Sequence, residues 1–234
     1  MSAHAAPRPA HGGHGHGGQG HGGHGHGGDP NRLGHGDTPI SEQGPASKRI
    51  IVAYGFWIFL LSDFIMFSGF FAAYAVLVGK TAGGPGGREL FDLPLVAGET
   101  ALLLLSSFAC GMAGVAVHVR SAKWFQIAMA ATALLGAGFL ALELYEFTHL
   151  IGEGAGPGRS AFLSAFFALV GCHGVHVALG LAWLTTMMAQ VWTKGFMEDI
   201  RRRIACFMLF WHALDIIWVA LFTVVYLLGA GAAA

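Results

Sequence analysis

Residues 50–78 read IIVAYGFWIFLLSDFIMFSGFFAAYAVLV, and Asp63 is the only acid or base of the aspartate, glutamate, lysine, arginine or histidine kind among them. A helix needs about 20 apolar residues to cross the hydrocarbon of a bilayer. This run exceeds that length and lacks the two-residue alternation of a membrane strand. It predicts a transmembrane helix, and four further runs repeat the pattern at about 93–119, 124–151, 160–192 and 204–228. Glycine-rich breaks separate them, GKTAGGPGGRELFD at 79–92 and GEGAGPGR at 152–159. Only 11% of the chain is charged, against about 25% in a soluble domain. The expected fold class is an all-α membrane protein, a bundle of five transmembrane helices over residues 48–234.

Basic residues set the expected orientation. Lys48, Arg49, Arg120, Lys123, Lys194, Arg201, Arg202 and Arg203 would share one side, and Lys80, Arg88 and Arg159 the other. The richer side is expected to be cytoplasmic, which puts the N-terminus inside and the C-terminus on the periplasmic side. No apolar leader precedes the first span, so that span is expected to carry the targeting signal.

Residues 1–47 form a separate block in which HGGHGHGG occurs at 11–18 and again at 21–28. Such sequence cannot bury enough apolar surface to offset its ordering entropy, so disorder is expected. His11, His14, His16, His21, His24 and His26 could hold Cu, Ni or Zn loosely, or the segment could be a plain solvated linker. Cys110, Cys172 and Cys206 each sit in an apolar run without a C-x-x-C spacing, and read as small fillers. Lys plus Arg and Asp plus Glu are equal at 13, so the net charge argues neither for nor against nucleic acid, and no nucleic-acid partner is expected.

The spans carry Asp63, Glu99, Glu143, Glu146, His149, His173, His176, His212 and Asp215. An acid at a helix centre costs about 2.5–3.5 kcal/mol on insertion scales, so these groups should face protein or water and be partnered. Counting from flanking charges places Asp63, His176, His212 and Asp215 mid-membrane or in the cytoplasmic half. Glu99, Glu143, Glu146 and His149 fall nearer the outer face. Glu143/Glu146, Glu146/His149, His173/His176 and His212/Asp215 are three apart, neighbours on a helix surface. His173 and His176 cannot be opposite axial ligands of one haem, because they lie on one helix. A small metal ion would need further ligands that no motif supplies. A buried hydrogen-bonded pair beside the close-packing Gly171, Gly174 and Gly180 explains the same facts and is the expected reading over a metal site. No phosphate-loop, serine-elbow or H-E-x-x-H signature occurs, so no catalytic, cofactor-binding or metal residue is assigned within the spans. For Asp63 both a paired or protonated acid and a proton-exchanging carboxyl stay open.

Four ordered motifs resemble subunit III of the haem–copper oxidases: GFWIFLLSDFIMFSGFFAAYAVL at 55–77, LELYEF at 142–147, GCHGVHVALG at 171–180 and WHALDIIWVALFTVVYLLG at 211–229. Residues 78–112, residues 164–177 and the five-helix count resemble the bo-type ubiquinol oxidase branch, and a cytochrome c oxidase subunit III is the alternative. The resemblance implies a non-catalytic subunit of a proton-pumping complex that reduces oxygen to water in the bacterial inner membrane. It would pack on subunit I, which holds the haems and copper, with subunits II and IV as further partners. It would bind phospholipid and support assembly and sustained turnover. The family's carbodiimide-reactive carboxyl falls on Asp63, here an aspartate where many relatives have glutamate. From other classes, an independent transporter or a metal-handling protein that uses the tail stays open.

Overall fold

The structure, a computed structural model, describes residues 48–84 and 86–231. The 1–47 segment and its six candidate metal histidines lie outside the described residues. Helix α1 spans Lys48–Leu77, and a single turn, α2, spans Gly87–Leu90. Helices α3 (Leu93–His118), α4 (Ala122–Gly152), α5 (Ala161–Lys194) and α6 (Glu198–Leu221) follow. The last runs on through a π-helical segment, Phe222–Leu227, into α7, Leu228–Gly231. Five helices are long and apolar enough to cross a membrane, and the described residues contain no strand.

Local chemistry fixes the helix ends. Asp92 caps α3 by accepting the Leu95 amide at 3.5 Å, with Pro94 in the first turn where no donor is needed. Ser160 accepts the Leu163 amide at 3.2 Å to start α5. Gly195, at φ 68°, ends that helix in a left-handed conformation that costs glycine little.

The first four helices begin and end within two residues of the limits expected from apolarity. The fifth begins six residues before the expected Ile204. Its first turn carries Glu198 and Asp199, favoured at the positive end of a helix, and these pair with Arg201 (3.7 Å) and Arg202 three residues on. Ile200 and Ile204 are buried. An amphipathic entry turn belongs to the helix but not to its apolar run.

Helix α6 is the hub. It packs on α1, α3 and α5, whereas α4 packs on α3 and α5. Trp211, 1% exposed, shows how closely. A Cβ placed on Gly136 of α4 would meet its Cζ2 at 2.9 Å, and one on Gly180 of α5 its Cζ3 at 2.9 Å. Its indole N–H donates to Ser106 Oγ of α3 at 3.1 Å. Seven residues on, the Trp218 N–H donates to Thr100 Oγ1 at 3.0 Å.

Two glycines of α4 therefore differ in tolerance. Gly136→Ala is expected to destabilise the bundle by about 1–3 kcal/mol through overpacking. Gly138→Ala meets only Leu102 at 3.6 Å and should be close to neutral. Thermal unfolding of the purified protein in detergent, followed by near-UV circular dichroism, checks the contrast.

Candidate functional site

Three glutamates lie in the protein interior around the far ends of α3 and α4. Glu99 is 0% exposed, Glu143 2% and Glu146 5%. The three carboxyls are near enough for their charges to interact. Both oxygens of Glu99, Oε2 of Glu143 and Oε1 of Glu146 have no hydrogen-bond partner among the described residues. Glu146 Oε2 accepts the phenol O–H of buried Tyr226 at 3.0 Å. Tyr226 sits in the π-helical segment, whose wider turn is a local irregularity common at functional sites. The adjacent carbonyl, Val225, accepts the Tyr74 O–H from α1 at 3.3 Å. Space for this layer comes from α5: a Cβ on Gly174 would press on the Glu143 carboxyl, its Cδ only 2.8 Å away.

His173 and His176 part company. His173 is fully buried, and its Nε2–H donates to the Leu214 carbonyl of α6 at 3.3 Å. Its ring lies 5.0 Å from Trp218 and edge-on to Phe139 at 5.7 Å. His176 is half-buried, turns to α1 with Phe67 at 5.3 Å, and donates Nδ1–H to the Cys172 carbonyl at 2.7 Å. Three residues is about −60° around a helix, enough to send the rings to different neighbours. Asp63 of α1 is half-buried and within charge range of His176. Among the described residues no cluster of three or more metal-ligating side chains forms.

His212 Nδ1 lies 2.7 Å from Ser107 Oγ of α3 and 3.8 Å from Asp215 Oδ2. Asp215 is 7% exposed, and neither of its oxygens is hydrogen-bonded among the described residues. His149, expected among the buried groups, is exposed: it sits in the last turn of α4 and faces Glu153 at 3.8 Å. The ionisable residues thus divide into a glutamate–tyrosine cluster, Asp63 and His176 half-buried without a hydrogen bond between them, a His212–Asp215 pair beside α3, and His173 bonded to the α6 backbone. The three cysteines are free thiols, Cys110 buried and the other two half-buried.

Sequence reasoning missed Thr100, Ser106, Ser107, Tyr74 and Tyr226. The tryptophans held a signal for the first two, since a buried indole N–H needs an acceptor and Trp211 and Trp218 lie on nearly one face. Nothing in FTVVYLL marked Tyr226.

Comparison with known proteins adds the family. The family described as cytochrome c oxidase subunit III matches residues 45–230. The chain is 49% identical over 203 residues to the cytochrome bo(3) ubiquinol oxidase subunit 3 of Pseudomonas aeruginosa, covering 86% of this chain and 94% of that protein. It is 42% identical over 198 residues to the quinol oxidase subunit 3 of Bacillus subtilis, covering 85% and 96%. It is 44% identical over 175 residues to the cytochrome c oxidase subunit 3 of Bacillus sp. PS3, covering 75% and 84%. A five-helix apolar bundle, matched along almost its whole described length, this chain belongs to the cytochrome c oxidase subunit III family.

Proposed function

We propose that this chain is the third subunit of a haem–copper quinol oxidase, a terminal respiratory complex that reduces oxygen to water and translocates protons. The relatives named as quinol oxidase subunits support this, with 49% identity over 203 residues to one of them. Within the complex the chain acts as a non-catalytic, multi-pass subunit of the bacterial inner membrane. It packs on the haem- and copper-bearing subunit I, with subunits II and IV nearby, binds phospholipid, and sustains assembly and turnover. The interior polar groups serve the bundle. His173 spends its Nε2–H on a backbone carbonyl of α6, and the tryptophan N–H groups are spent on hydroxyls of α3. A cytochrome c oxidase is the second reading, favoured by the 44% identity to the PS3 protein.

The N-terminus and the loops around Arg120 and Lys194 face the cytoplasm in this proposal, since eight basic residues there oppose three on the other side. A membrane-impermeant maleimide applied to spheroplasts is expected to label a cysteine placed at Thr81 and not one placed at Ser121, in a chain whose own three cysteines are replaced. The reverse pattern would invert the orientation.

An affinity tag on this chain in native membranes is expected to bring down a haem- and copper-containing oxidase with quinol as electron donor. Recovery of a homo-oligomer free of haem would refute the reading, and a subunit II with a dinuclear copper centre would favour the cytochrome c branch. His173→Ala should lower retention of the chain by the complex in detergent while leaving the haem spectrum of intact complex unchanged.

Gly174→Ala should cost about 1–3 kcal/mol by pressing a methyl group on the Glu143 carboxyl. Adding Glu143→Ala, which removes the obstructing group, should recover part of the loss. Thermal midpoints of the two variants measure this.

A further inference from the structure

Two stripes face each other across α3 and α6. On α3, Ser107, Gly111, Gly114 and His118 fall on one line, four, three and four residues apart. On α6, Arg201, Ala205, Met208 and His212 do the same, with Ile216 and Val219 continuing the line. The helices run antiparallel, so His118 adjoins Arg201 at one end in a cavity of about 230 Å³ that Gly114 and Met208 also line. Further along, Ser107 meets His212. A Cβ on Gly111 would meet nothing within 4 Å, so the groove is open there.

Lipid is a poor cover for this groove. His212 lies nine residues beyond Arg203, about 14 Å into the span at 1.5 Å per residue. Its side chain is 41% exposed, as is the outer face of Ile216 at 64%. The Asp215 carboxyl beneath it has no hydrogen-bond partner among the described residues. Nδ1 is engaged with the Ser107 hydroxyl at 2.7 Å, which leaves Nε2 as the ring's second hydrogen-bonding nitrogen. Acyl chains offer it no partner, and polar groups at such depth face protein or water. The Met208 side chain covers Gly114, whereas Gly111 and the exposed Ala205 are small and uncovered, and small residues admit a helix backbone at close range.

We propose that the α3/α6 groove receives a membrane-spanning helix of another subunit, one that carries a hydrogen-bonding side chain opposite His212. This rests on the chain being an oxidase subunit and names the face it uses. Gly111 is the discriminating position: a side chain there finds open space in the bundle but fills the seat of the incoming helix.

The test places a photoreactive benzophenone amino acid at Ile216 in the full chain, within native membranes that hold the complex. Irradiation is expected to yield an adduct with another polypeptide of the complex. Gly111→Leu should cut that adduct at least tenfold while the membrane level of the chain, read by immunoblot, stays unchanged. His212→Leu should also cut it, and His212→Gln should restore part. An adduct with lipid only, an adduct with a second copy of this chain, or an adduct that Gly111→Leu leaves intact would each overturn the proposal. Co-purification of the tagged chain with the oxidase separates failure of this face from failure of the subunit reading: the complex would still be recovered in the first case and not in the second.

Discussion

Trp211 ties four helices with one side chain. Its own helix is α6; its ring fills the gap left by Gly136 on α4 and Gly180 on α5, and its N–H reaches Ser106 on α3. Lipid acyl chains are as apolar as leucine, so burial of apolar surface alone gives little reason for helices to prefer each other over lipid. Close packing and satisfied hydrogen bonds decide the matter instead. A flat ring between two glycines supplies the first, and an indole donor on a hydroxyl supplies the second. Trp218 repeats the arrangement one heptad on, with Thr100 as acceptor and the His173 ring 5.0 Å away.

That constraint also explains where the ionisable groups lie. Acids and imidazoles in the spans are admitted where α6 and its neighbours wall them off, as with Glu99, Glu143, Glu146 and His173. They are half-buried at the outer side of the bundle, as with Asp63, His176 and His212. His149 escapes the rule because it stands in the last turn of α4, where water or headgroups can solvate it.

The five helices were legible because lipid imposes length and apolarity directly on sequence. Four of them start and stop within two residues of that signal, and α6 departs where Glu198 to Arg203 form charged turns that belong to the same helix. The interior site was legible as a set of residues and not as a set of pairs. Spacing of three placed His173 and His176 together on paper, yet a rotation of about 60° sends one to α6 and the other to α1. Which neighbour a face meets depends on the order of helices around the bundle, and a single chain does not write that order in any local pattern. Tyr226 was invisible for a related reason: its reach to Glu146 depends on the π-helical turn from Phe222 to Leu227, which the apolar run does not announce.

The hub helix is made after the four other spans. Domains and segments generally form in the order in which they are made, so α1, α3, α4 and α5 enter the membrane while the seat of Trp211 is vacant. Until residues 198–231 arrive, the glycine notches at 136 and 180 face nothing, and the Glu146 carboxyl has no phenol to bind. Closure of the bundle thereby waits on α6: a chain stopped after α5 would leave Glu146 without the Tyr226 phenol and Gly136 and Gly180 without the Trp211 ring.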